Sequence, residues 1–309
     1  MRRIISRGAA TVAITLALAG VSVSGASPVP AESEAQYVAN AADFVSAADW
    51  ETAQKLTIEL SDYAFTPKDI TLEAGQPYVL TVVNTATIEH EFVAEDFFRS
   101  VATRKAETTE SEVKVPFFTE IEAFAGKAAE LYLIPLIPGE YELLCEIEGH
   151  REAGMVGTIT VTGQTPTSPA LQLADVAAGP WVTDGAALVD GADWDTQREL
   201  TIELSDYAFT PMAIVLDAGQ PYVLTVVNRA TIKHEFTAGE FFGTVAFRKA
   251  EDASGEFKGP MPREVEVFPG QQIELFLIPT SPGMYRLVCE IEGHLVAGMF
   301  GTITVTAAS

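Results

Sequence analysis

The sequence predicts an all-β protein built from two tandem Greek-key β-sandwich domains, each carrying one short helix or long loop insertion. Three observations lead there. An ungapped repeat, each residue of the second copy lying 144 positions after its counterpart, covers nearly all of the chain beyond its first few dozen residues. Inside each copy, short alternating apolar and polar runs follow one another, separated by Gly and Pro turn signals. A length of 309 residues with 48% hydrophobic composition is enough for two ordinary cores.

From the start of the chain, Arg2, Arg3 and Arg7 precede an apolar run from Ala9 to Val23, and Ser24-Gly25-Ala26 supplies small residues for cleavage. Residues 1–26 read as a secretory signal, with Arg2-Arg3 leaving the twin-arginine route open, and 27–36 as a flexible leader. The expected location is periplasmic or secreted, with no stable membrane insertion after cleavage. The first domain is expected over 37–163. A linker rich in Thr, Pro, Ala and Gly follows over 164–180, and the second domain over 181–309.

The repeat is most exact in three blocks. LTIELSDYAFTP runs from Leu56 to Pro67 and again from Leu200 to Pro211; GQPYVLTVVN from Gly75 to Asn84 and from Gly219 to Asn228; CEIEGH from Cys145 to His150 and from Cys289 to His294. Leu56, Ile58 and Leu60 alternate with polar neighbours as a half-buried strand does, and Thr57, Val79, Val82 and Val83 add β-branching. Gly75-Gln76-Pro77 and Pro138-Gly139 mark turns. Such short strands closed by turns predict an antiparallel sandwich. The helical insertion is expected from Glu95 to Ala106, where Phe97, Phe98, Val101 and Ala102 recur at helical spacing, and from Glu240 to Ala250.

Every histidine and cysteine falls into one of two matching sets: His90, Cys145, His150 with Met155, and His234, Cys289, His294 with Met299. Strand alternation places Tyr141, Leu143 and Cys145 on one face, and Ile88, His90 and Phe92 on one face of another strand. The loop from each cysteine turns at glycine before the second histidine and again before the methionine, which suits a tight ligand loop. Thiolate and thioether favour reduced copper and imidazole the oxidised ion, so the sets point to two copper ions, one per domain. Zinc also accepts thiolate and imidazole, but the methionine and the lack of a fourth hard ligand favour copper. Because the two cysteines occupy equivalent places in separate repeats, ligation explains them better than a disulfide. Met212, Met261 and Met284 have no counterparts in the first repeat and are expected to fill gaps in the core.

The Asn…His-Glu-Phe strand, the Pro-Gly-x-Tyr-x-x-x-Cys strand and the Cys-x4-His-x4-Met-x-Gly loop resemble the cupredoxins, the type 1 blue copper proteins that include plastocyanin, azurin and rusticyanin. The resemblance spans both repeats. It implies type 1 copper at His90, Cys145, His150 and Met155, and at His234, Cys289, His294 and Met299. The Cys-to-His spacing is longer than in plastocyanin and nearer to that of azurin and rusticyanin.

The function expected on these grounds is an exported blue copper protein that passes single electrons between redox partners. Copper storage or delivery is the alternative. With 43 acidic against 19 basic residues, the net charge of −24 disfavours nucleic acid and suits basic redox proteins such as c-type cytochromes. Enzymatic activity is not expected, because all four histidines are committed and none is left for a further copper. Leu295-Val296 follows the second loop histidine where Arg151-Glu152 follows the first. The second centre is therefore expected to offer an apolar docking patch, and the first to face a charged partner or its sister domain.

Overall fold

The computed structural model describes residues 35–308, so the expected signal and nearly all of the leader lie outside the described residues. In each domain a first sheet starts from the hairpin Gln54–Ser61 and Ala64–Thr66, then adds Tyr78–Asn84, Ala128–Pro135, Val101–Glu107 and Ser111–Lys114. A second sheet holds Asp69–Glu73, Val156–Thr162, Gly139–Leu144, His90–Val93 and Glu120–Ala123. The same strands recur 144 residues later, beginning with Arg198–Ser205. Alternation works as expected: Ile58 and Leu60 are fully buried while their neighbours face out. Two pairs per domain are parallel, Gln54–Ser61 with Tyr78–Asn84 and Asp69–Glu73 with Val156–Thr162. They arise where the chain crosses between the sheets instead of returning through a hairpin.

The insertion helix is shorter than its spacing predicts. It spans Glu95–Arg99, and Ser100 ends it by bonding both its N–H and its hydroxyl to the Phe97 carbonyl. Val101 and Ala102 then belong to the strand Val101–Glu107, buried against Ala128–Pro135, so tertiary pairing overrides their helical spacing. The second copy repeats this with Gly239–Phe242 and Val245–Glu251. Within the segment 164–180, Leu173–Asp175 forms a strand that pairs with Gln36–Val38.

The two domains exchange edges. Ser111–Lys114 of the first pairs with Glu264–Val267 of the second, and Gly255–Lys258 of the second pairs with Glu120–Ala123 of the first. Among the described residues the result is one eight-stranded and one eleven-stranded sheet that each run through both domains. One hydrophobic cluster likewise includes residues of both, with the rings of Phe118 and Phe257 packed at a tilt, 6.3 Å between centroids, across the junction. Gly255 is required there, since a Cβ on it would lie 2.0 Å from the Glu122 carbonyl oxygen.

The junction is unusually acidic. Cross-strand neighbours run Glu91, Glu122, Glu256, Glu251, Glu274 along one row. A matching row runs Glu235, Glu266, Glu112, Glu107, Glu130. Lys105, Lys114, Lys249 and Lys258 sit among them in ion pairs, Lys258 reaching Glu120 at 2.6 Å. At the hairpin tips, buried Asp252 accepts from the hydroxyls of Thr108 and Ser111, both at 2.6 Å, and Ser254 donates to Glu110 at 2.6 Å.

Candidate metal centres

His90 opens the strand His90–Val93, and Cys145 follows the strand Gly139–Leu144; the two strands meet at Leu144 and Val93. The cysteine therefore leaves its strand beside the histidine. The loop after it is fixed by its own backbone: His150 N–H donates to Ile147, Met155 N–H to His150 and Cys145 N–H to Met155. Gly149 and Gly154 adopt φ of 85° and 107°, a region open to glycine at little cost. These bonds bring His150 back over the thiol and carry Met155 into the core, where it is fully buried.

The donor atoms converge. His90 Nδ1 lies 3.2 Å from His150 Nδ1, and Cys145 Sγ lies 3.2 Å from the same nitrogen. In the second domain His234, His294 and Cys289 give the same two distances. In each triad all three donor atoms fall within 4.8 Å of one another. The structure thus brings together six of the eight sequence-assigned residues as donor triads and places Met155 and Met299, buried, on the same loops.

Burial, together with the neighbouring His150, holds His90 below the usual imidazole range, and the same causes act on His234 through His294. Burial also pushes both thiols up, opposed by backbone N–H groups; that of Glu91 lies 3.4 Å from Cys145 Sγ and that of Glu235 lies 3.3 Å from Cys289 Sγ. Two ring nitrogens gathered beside one buried sulfur form a site suited to a cation, and binding it would expel the thiol proton. Cys145 and Cys289 are both free and buried. Soft sulfur with two imidazoles fits copper on the chemistry of the donors alone.

Two residues that carry no ligand chemistry position the site. Buried Asn84 donates to the carbonyls of Ile88 and Ala123, at 2.7 and 2.8 Å, and accepts from Ala86 N–H. It thereby fixes the loop leading into His90, and Asn228 does the same before His234. Tyr63 stands over the centre, its ring edge-on to His150 at 4.8 Å between centroids. Both residues sit in repeated sequence blocks, and the asparagine also opens the Asn…His-Glu-Phe motif, but neither signal assigns them a role.

Some expectations change. Ile88 and Ile232 do not share the inward face of the histidines; they lie in the preceding loop, about two-fifths exposed, because strand geometry begins only at His90 and His234. Met261 is buried as a gap-filler, but Met212 and Met284 are exposed, so those two fill no core gap.

A sequence profile described as "Cupredoxin-like domain" matches residues 35–161 and 181–305, most of the chain. The chain belongs to the cupredoxin-like domain family. A relative of this cupredoxin-like chain, the copper-resistant cuproprotein CopI of Rubrivivax gelatinosus, is 29% identical over 110 residues, covering 35% of this chain and 67% of that protein. Among solved structures, a Cu-containing nitrite reductase (NirK) from Thermus scotoductus SA-01 is similar at 12% identity and a TM-score of 0.29, over 82% of this chain and 62% of that one. A multicopper oxidase from Campylobacter jejuni, described as a metallo-oxidase, is similar at 10% identity and a TM-score of 0.32, over 82% and 64%. This chain spans less than two thirds of the length of either structure.

Both structures are enzymes by title, and this corrects the expectation that the chain is not an enzyme. The histidine count bars only a further histidine-held copper within the chain. It does not bear on oxidation of a substrate at the two cupredoxin-like centres themselves. Among the described residues no helix is long and apolar enough to cross a membrane.

Proposed function

We propose that the protein is an exported carrier of single electrons holding one type 1 copper in each domain, at His90, Cys145, His150 and Met155 and at His234, Cys289, His294 and Met299. The observation that supports this most is the duplicated triad of two imidazole nitrogens and one sulfur, built with the same distances in both domains. Copper bound there supplies a one-electron couple. The chain's part is rigidity: loop hydrogen bonds, the Asn84 and Asn228 clamps and burial hold the donors in place, so little rearrangement accompanies a change of charge. The backbone N–H groups directed at each sulfur steady the thiolate.

Exchange with partners is assigned to the second centre. His150 and His294 are buried but keep 6% and 7% of their surface open, whereas His90 and His234 keep none, so the loop histidine is the ligand nearer to solvent in each centre. Around His294 the outer side is apolar: Val296 is 94% exposed, with Leu295, Phe300 and Met212 also exposed. Val215 and Met284 both lie opposite Thr304 and extend this side down the sheet. The first domain has Lys68, Thr71, Glu140, Arg151, Glu152 and Val156 at the corresponding positions, so five of the six are polar or charged there. An apolar contact within a strongly acidic molecule suits a redox partner with a basic rim, such as a c-type cytochrome. The periplasm is the expected setting.

A second reading, copper storage or delivery, is favoured by the name of the relative, a copper-resistant cuproprotein. One experiment tests the main reading: metal counting with optical and paramagnetic-resonance spectra of the copper-loaded protein. Two copper ions per chain with intense visible sulfur-to-copper absorption are expected, with reduction and reoxidation free of copper loss. Colourless zinc-loaded protein would overturn the reading, and ready copper release on reduction would favour delivery.

A further inference from the structure

Asp62 and Tyr63 form the two-residue loop of the hairpin between Gln54–Ser61 and Ala64–Thr66, whose register closes with Ser61 opposite Ala64. Both have positive φ, 37° and 63°, and Asp206 and Tyr207 repeat this at 38° and 62°. A two-residue loop with both central residues in this region favours glycine at the second position. A bulky side chain there strains the backbone. Core packing does not account for the tyrosine, since Tyr63 and Tyr207 remain 42% and 41% exposed.

What the ring touches is the metal centre. Tyr63 is edge-on to His150 at 4.8 Å and to His90 at 6.2 Å, both near perpendicular. Tyr207 meets His294 at 4.9 Å and His234 at 6.1 Å in the same way. One ring thus contacts both imidazoles of a centre from the solvent side. The two ligand loops have diverged next to their second histidines, to Arg151-Glu152 and Leu295-Val296, yet this hairpin is the same in both domains.

We propose that Tyr63 and Tyr207 are lids: positioning residues that brace both imidazoles of each centre and close its histidine side to small anions and to copper-chelating ligands. The proposal rests on the copper reading above. The strain in the turn is the cost of placing a flat ring where the backbone alone would leave the imidazoles open. A lid one ring thick keeps water and ligands off while leaving the histidine edge close enough to the surface for an electron to pass.

The test uses the full chain loaded with copper and the paired variant Tyr63→Gly with Tyr207→Gly. Glycine suits the turn, so metal-free protein should unfold at the same denaturant concentration or a higher one. Reduced copper should pass to a bidentate colorimetric chelator about tenfold faster or more, the scale on which residues supporting metal ligands act. Azide should perturb the visible absorption and the paramagnetic-resonance spectrum of this variant and not of the wild type. Tyr63→Phe with Tyr207→Phe keeps the ring and should match the wild type in each measurement. Tyr63→Asn with Tyr207→Asn, also tolerant of the turn, should behave like the glycine pair. A normal copper spectrum with unchanged chelator and azide responses in the glycine and asparagine pairs would overturn the lid alone. Wild-type protein that takes up no copper would overturn both the lid and the reading on which it rests.

Discussion

At the scale of single residues, the two buried asparagines show how a side chain with no metal chemistry governs a metal centre. Asn228 joins the loop before His234 to the strand Glu264–Val267 through the Ile232 and Val267 carbonyls. Removing the amide in Asn228→Ala strands the buried Val267 carbonyl and frees the partly exposed loop at Ile232, which should cost about 2 kcal/mol of stability. The denaturant midpoint should fall accordingly, and copper held by the second domain should become easier to chelate. An unchanged midpoint and an unchanged chelation rate would show that the clamp is dispensable. The residues legible in the sequence were those whose element types declare their chemistry, because nitrogen and sulfur donors are few and fall at matched places. Asn228 stood in the Asn…His-Glu-Phe motif without a role and Tyr207 drew no notice, because what each does exists only once a turn or a neighbouring strand brings it to the histidines.

Among elements, the ligand loop and the sheet beside it carry the difference between the two domains. Replacing Leu295 by Arg and Val296 by Glu would give the second loop the residues of the first. Electron exchange with a basic c-type cytochrome should then slow by about tenfold, with the change in the association step and little change in the spectrum of either centre. Stopped-flow mixing would read this, and an unchanged rate would remove the second face as the docking surface. Strands were read well where one side is buried, as at Leu56, Ile58 and Leu60, because a period of two leaves one arrangement that hides the apolar side chains. The stretch from Val101 was misread as helix because its buried residues satisfy both periods, and only pairing with Ala128–Pro135 decides between them. Met212 and Met284 were misplaced for a related reason: composition cannot tell a methionine under a sheet from one on top of it.

For the whole molecule, the junction sets the response to pH. Glu122 is pushed up to about 8 by burial and then by the carboxylates of Glu256 and Glu91. Glu235 is pushed up to about 7 by burial and then by Glu264. Raised in the fold above their unfolded values, both contribute stability that is complete below the ordinary carboxylate range and lost as pH climbs through 7 to 8. Glu112 and Glu256, held low chiefly by their lysines against the effect of burial, work in the opposite sense and lose their contribution in acid. The melting temperature should therefore peak near about pH 4 to 5, decline until about pH 8 and then level off, and Glu122→Gln should flatten the decline. A flat profile in the wild type would contradict this origin. None of it was legible beforehand, since the repeat shows two copies but not that each lends a strand to the other. Each half taken alone would expose the edge strand that the other half covers. A polypeptide carrying only residues 35–163 should accordingly sediment as a pair of identical halves, each supplying the margin that its twin lacks, and a well-folded solitary half would show that the borrowed margin is dispensable.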